Sequence, residues 1–167
     1  MVDVVDATTR SRMMAGIKSR DTKPETMIRR GLHARGFRYR LTTAGVPGKP
    51  DVVLPKWHTV VLVHGCFWHW HGCTLSKIPS SNVGFWQTKL EANKRRDQEV
   101  KHLLAADGWR VAVVWECATR SARAREDLPH LFDRLATWIR DPAQSPTLEL
   151  TAPIAPKTRT TAKKQRK

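Results

Sequence analysis

The chain has 167 residues, 40% of them apolar, which fits one domain around one packed core, and its seven Trp point to aromatics that face a ligand as well as the interior. Thirty Lys and Arg against fifteen Asp and Glu give a formal charge of +15, so the expected partner is a polyanion bound through counterion release, nucleic acid foremost. No apolar run approaches the ~18–20 residues of a membrane span, residues 1–6 lack the basic start and apolar stretch of a signal peptide, and three cysteines argue against a disulfide framework, so an intracellular protein without membrane contact is expected.

Residues 1–20 carry Arg10, Arg12, Lys18 and Arg20 with Met13 and Met14 and no sustained periodicity, which reads as a mobile basic arm or as a terminus without function. Thr22-Lys-Pro-Glu25 is a helix start, with Thr22 as N-cap, Pro24 in the first turn and Glu25 three residues after the cap. Met27, Ile28, Leu32 and His33 fall near one face, and Gly36 ends the helix. Phe37, Tyr39 and Leu41 then alternate with Arg38 and Arg40, the pattern of a half-exposed strand. A Gly/Pro turn over residues 43–50 leads into two strands, 51–55 and 57–63, joined at Pro55-Lys56; the second is almost wholly apolar and belongs at the centre of a sheet.

Residues 64–83 are irregular and crowded with Gly, His, Cys, Trp and Pro. A helix over 84–107, amphipathic through Phe85, Leu90, Val100, Leu103 and Leu104, stops at Gly108. Residues 109–117 form a further buried strand, and 124–140 a last helix with Leu128, Leu131, Leu135 and Trp138 inward. From Asp141 onward Pro, Thr, Ala and Lys dominate, and apolar residues are too sparse to offset the ordering entropy. The organisation is thus a basic arm (1–20), one folded domain (21–140) and a disordered basic tail (141–167). The element order gives an α/β class, a mixed sheet flanked by helices.

Three constellations carry chemistry. Cys66, His71, Cys73 and Cys117 use every cysteine in the chain, and three thiolates with one imidazole complete the tetrahedral set of a structural Zn²⁺. The alternative is three buried thiols beside an unrelated histidine. Asp51, at a strand mouth, is a seat for Mg²⁺, with His64 and His69 following the next strand and His69 placed to deprotonate water. Here the alternatives are turn chemistry for Asp51, helix capping for Glu25 and a plain buried histidine at position 64. Phe67, Trp68, Trp70 and Trp86, amid Lys77, Lys89, Lys94, Arg95 and Arg96, suit a wedge that unstacks a base step, or a second small core around the metal.

His64-Gly-Cys-Phe-Trp-His69 closely resembles the very short patch repair (Vsr) endonuclease family. The likeness extends through Arg20-Asp-Thr-Lys-Pro-Glu25, Pro47-Gly-Lys-Pro-Asp51, His71-x-Cys73, Trp109-Arg-Val and Val114-Trp-Glu-Cys117, over roughly residues 8–140. The resemblance implies a restriction-endonuclease-like fold, Mg²⁺ at Asp51 and the backbone carbonyl of Val63, His69 as general base, and Glu25 and His64 in the same site. It further implies Zn²⁺ at the Cys₃His set, a wedge of Phe67, Trp68 and Trp86, and Met14 in the minor groove; Lys89 and Arg95, among the cations around the aromatics, are expected to bind DNA. Asp97 is placed to orient His69 by accepting its second ring proton. The Glu-x-Lys usual in restriction-like nucleases is replaced by Val61-Leu-Val63, and a histidine base fits that absence.

The function implied is nicking of double-stranded DNA 5′ of the T in a T:G mismatch left by deaminated 5-methylcytosine. A cytoplasmic, nucleoid-associated monomer, with mismatch-repair proteins as candidate partners, is the accompanying expectation. The rival readings are a non-catalytic zinc module that binds distorted DNA and a restriction enzyme for intact sites. The basic tail matches no family feature; extra non-specific DNA affinity is its expected contribution.

Overall fold

A computed structural model describes residues 8–9, 20–41, 43–120 and 122–152. Met14 and most of the basic arm lie outside the described residues, as does the tail beyond residue 152.

The first helix, α1 (Lys23–Ala34), starts as its cap residues dictate. Thr22 Oγ1 accepts the Glu25 amide at 3.4 Å and donates to Glu25 Oε1 at 2.7 Å, while Glu25 Oε2 accepts the Asp21 amide at 2.8 Å. It ends in a paired turn in which Phe37 N–H bonds Leu32 C=O and Gly36 N–H bonds His33 C=O, with Gly36 at φ 85°.

The strand expected over residues 37–41 contracts to one bridge, in which Arg40 and Val53 exchange backbone hydrogen bonds of 2.8 and 2.9 Å. Beyond it the chain turns away through Gly45 and Gly48, both at positive φ, so Leu41 has no strand beside it and is 43% exposed. Strand β1 (Val52–Leu54) and strand β2 (Thr59–His64) pair antiparallel across a 3₁₀ turn, Pro55–Trp57, closed by His58 in the left-handed region. Helix α2 (Val83–Ala106) crosses over to β3 (Arg110–Trp115), which lies parallel to β2.

Instead of one helix over 124–140, two short helical segments, α3 (Cys117–Arg120) and α4 (Ala122–Glu126), precede α5 (Leu128–Arg140). Pro129 explains the break: it has no N–H to donate, so it is accommodated in the first turn of a new helix and not inside a continuous one. The tail boundary also moves. Residues 147–150 form β4 (Thr147–Leu150), parallel to β3, and Leu150 is fully buried against the sheet, so order extends past Asp141. Four residues beside an existing strand need only one buried anchor, a signal too small for a composition argument.

The sheet runs β1-β2-β3-β4 and is covered on both faces. Val61, Ala112 and Val114 face α1 and α5, through Ile28, Leu32, Leu135 and Ile139, whereas Val60, Leu62 and Val113 share the other core with Leu104 of α2 and the cysteines. The amphipathic stripe read for α2 is thinner than expected. Leu90 and Leu104 are buried, but Phe85 and Leu103 are 60% and 55% exposed.

Gly48 fixes how α2 meets the turn that carries Asp51. At φ 74°, with a Cβ there falling 2.2 Å from Val100 Cγ1, only glycine fits. Gly48→Ala is expected to cost about 2–4 kcal/mol in chemical denaturation, from overpacking and left-handed strain together.

Candidate active site and metal centre

The end of β2, the loop after it, the start of α1 and the middle of α2 enclose a cleft of about 580 Å³. Glu25, Asp51, Val63, His64, His69 and Asp97, far apart in sequence, all line it. The topology explains the convergence, since β1 and β2 are antiparallel neighbours and the mouth of one meets the end of the other.

Asp51 Oδ2 accepts the Val63 amide at 2.7 Å, and its own carbonyl accepts Arg29 Nε at 3.3 Å. Burial foremost, with the charge of Glu25 adding, pushes its carboxyl up to about 6 against the pull of the Val63 amide and Arg29. A carboxylate held this reluctantly ionised, beside a second acid, is a donor set that a hard divalent cation relieves. Glu25 is 5% exposed, and Arg29 Nη2 reaches its Oε2 at 3.1 Å.

The loop after β2 is wound tightly by backbone bonds from His69 N–H to Gly65 C=O and from His71 N–H to Cys66 C=O. His64 and His69 come to lie face to face, their centroids 3.9 Å apart and their planes 5° from parallel. His64 is buried and pushed down to about 3, by burial first and by His69 next, so it stays neutral. His69 Nδ1 meets Asp97 Oδ2 at 2.6 Å. If that nitrogen carries the proton donated to Asp97, Nε2 is left with a lone pair toward the cleft.

On the other side of the same loop, the donor atoms of Cys66, His71, Cys73 and Cys117 lie within 4.8 Å of one another. His71 Nδ1 is 3.7 Å from Cys66 Sγ and 3.6 Å from Cys117 Sγ, and its ring stacks on Trp115 at 4.1 Å. The hydrogen bond with Cys117, with burial next, pushes the Cys66 thiol up. The same bond, with the Ala152 amide and His71 adding, draws Cys117 down to about 5. Four close sulfur and nitrogen donors are sized for one tetrahedral ion, with no position left over for water.

Phe67, Trp68 and Trp86 form a half-buried cluster of edge contacts, with centroids 5.1 to 6.2 Å apart. Lys89 Nζ stands 5.9 Å over Trp68. Arg95 is exposed on α2 but does not line the cleft; Arg96 does. Three contacts were not evident from the sequence. Arg29 ties the Glu25 carboxylate to the Asp51 backbone carbonyl, Asn93 Nδ2 donates to the Trp68 carbonyl at 2.9 Å, and Glu116 Oε2 accepts the Cys66 amide at 3.3 Å. The available signals were spacings: Arg29 is four residues after Glu25, Asn93 four before Asp97, and Glu116 is next to Cys117.

A family model described as DNA mismatch endonuclease Vsr matches residues 2–75. Over 139 residues the chain is 41% identical to the DNA mismatch endonuclease Vsr of Escherichia coli, an alignment that covers 83% of this chain and 88% of that protein. The chain belongs to the Vsr family of DNA mismatch endonucleases.

Two further relatives agree. The type II nicking enzyme V.XorIIP of Xanthomonas oryzae pv. oryzae is 44% identical over 126 residues, 75% of this chain and 93% of that protein. The type II nicking enzyme V.NmeAIP of Neisseria meningitidis is 43% identical over 142 residues, 84% and 99%. Membership in the Vsr family makes the chain a DNA endonuclease, and its mixed sheet with flanking helices is the restriction-endonuclease-like fold. Among the described residues no helix is long and apolar enough to cross a membrane.

Proposed function

We propose that this Vsr-family chain nicks one strand of duplex DNA on the 5′ side of the T in a T:G mismatch of the kind left by deaminated 5-methylcytosine. The observation that carries the reading is the pairing of His69 with Asp97 in a cleft that also holds Asp51, with Phe67 and Trp68 of the aromatic cluster on the same loop. A base and a wedge two residues apart couple the opened step to the bond that is cut.

Asp51 and the Val63 carbonyl would hold Mg²⁺, which when bound supplies charge stabilisation for the phosphoryl and leaving oxygens. His69 Nε2 takes a proton from the attacking water as its oxygen bonds phosphorus and the bond to the leaving sugar oxygen breaks. Asp97 fixes the ring and stabilises the imidazolium so formed, while neutral His64 presses on its face without adding a charge. Glu25, tied to Arg29 and Thr22, fixes the floor beneath Asp51. Zn²⁺ is the ion for the Cys66, His71, Cys73 and Cys117 set, where it pins the loop to β3.

Phe67, Trp68 and Trp86 open the base step, Lys89 and Arg95 meet the duplex along α2, and Met14 enters the minor groove from the arm. The remaining parts are a monomeric catalytic domain, a basic tail that adds non-specific affinity, a cytoplasmic, nucleoid-associated setting, and mismatch-repair proteins as the class of partner.

The test is single-strand nicking of paired 5′-labelled duplexes, T:G and T:A, with Mg²⁺ and with EDTA. A metal-dependent nick just 5′ of the mismatched T, absent from T:A, is the expected result; tight binding without cutting, or equal cutting of the intact duplex, overturns it. Within the same assay Asp97→Asn is expected to slow the single-turnover rate about 10- to 100-fold while leaving affinity for the T:G duplex near that of the parent. Weakened binding at an unchanged rate would remove Asp97 from the chemistry.

A further inference from the structure

Phe85 differs from the other rings around the loop. It lies in the first turn of α2 and is 60% exposed, whereas Phe67, Trp68 and Trp86 are half-buried. It is nonetheless joined to them, meeting Trp86 edge-on at 5.3 Å and 74°. One turn further along α2, Lys89 places Nζ 5.8 Å over Phe85 and 5.9 Å over Trp68, so one ammonium is shared by an exposed and a half-buried ring.

We propose that Phe85 is the outermost ring of the wedge and a specificity-determining contact to DNA. It stacks on the base freed beside the mismatch, and with Trp68 it brackets the Lys89 ammonium so that ring and cation enter the groove as one unit. The proposal rests on the wedge reading given above.

Charge identifies the occupant of this surface. The helix around Phe85 exposes Lys89, Lys94, Arg95 and Arg96, cations that a protein partner or a second copy of this basic chain would have to bury and that a duplex neutralises. Of the other exposed apolar residues of α2, Val83 lies two positions before Phe85, which turns it to a different side of the helix, and Leu103 lies 18 residues on, about 27 Å along the helix, so they make no continuous apolar face for a protein. An exposed ring at the edge of an aromatic cluster, flanked by ammonium, suits a base face next to a phosphate.

The experiment measures equilibrium binding and single-turnover nicking of T:G and T:A duplexes by the full chain, Phe85→Ala, Phe85→Leu and the double variant Phe67→Ala/Trp68→Ala. Phe85 makes little core, so Phe85→Ala keeps the parent melting temperature. It is expected to weaken T:G binding about tenfold and T:A binding by about twofold or less, and Leu, which restores apolar bulk but no ring face, recovers only part of the loss. Parent-like discrimination by Phe85→Ala, equal losses on both duplexes, or full recovery by Leu overturns the proposal. If the double variant loses discrimination while Phe85→Ala keeps it, the wedge stands without Phe85. If neither variant loses it, the wedge reading itself falls.

Discussion

Asp51→Asn is expected to lower the nicking rate by about three orders of magnitude or more while leaving affinity for a T:G duplex within about threefold of the parent. The carboxylate is the anionic group at the mouth of β1, and its replacement by an amide keeps the hydrogen bond from the Val63 amide while removing the charge that would hold the proposed cation. The variant carries a second, opposite signature. Because burial pushes the folded-state carboxyl from 3.8 up to about 6, the folded protein binds this proton more tightly than the unfolded chain does. Ionised Asp51 therefore costs stability, in full above about pH 6, and the cost fades as the pH falls toward 4.

Asp51→Asn has no such cost. In buffer without Mg²⁺ it should be more stable than the parent at neutral pH, with denaturation midpoints converging near pH 4. Proton and cation also compete for one carboxylate, so cutting by the parent should decline as the pH drops through about 6, and higher Mg²⁺ should move that decline to lower pH. Retained cutting by the variant, or a decline indifferent to Mg²⁺, would take the cation away from Asp51.

Cys73→Ala should abolish zinc binding at the proposed Cys₃His site and with it much of the folding free energy. A structural Zn²⁺ in a full tetrahedral set contributes roughly 10 kcal/mol or more, comparable to the whole stability of a domain this size. The loss should show as a metal content falling from about one ion per chain toward zero, with a lowered melting temperature or recovery only as insoluble material. The consequence reaches the cleft, because Cys66 and His71 flank the loop that carries His69. A soluble, zinc-free variant with parent stability would show the thiols to be merely packed.

Where the chemistry of a position is local, the sequence displayed it. Thr22, Glu25 and Gly36 cap α1 with groups three or four residues apart, and the helix bounds followed. The gathering of Cys66, His71, Cys73 and Cys117 was legible because a chain with three cysteines leaves few ways to assemble such a cluster. Alternation at residues 37–41 failed because it reports which side chains turn inward, not whether a second backbone runs alongside. Strand β4 was hidden for the converse reason: Thr147, Leu148 and Glu149 carry no pattern, and pairing with β3 supplies the order. Arg29, Asn93 and Glu116 are ordinary residues that, beside any near neighbour such as Glu25, reach partners 22, 25 and 50 positions away, a relation no local window holds.

The last described strand has a consequence for how the protein is made. The Ala152 amide donates to Cys117 Sγ at 3.4 Å, immediately after Leu150 has locked β4 against β3. The thiolate thus receives its final backbone donor from a residue 35 positions later in synthesis. Ala152 also packs against the core that holds Cys66 and Cys117, so the end of this segment shields one side of the cluster. A tag fused beyond residue 152 leaves that shield intact, whereas a boundary drawn at the end of α5 discards it.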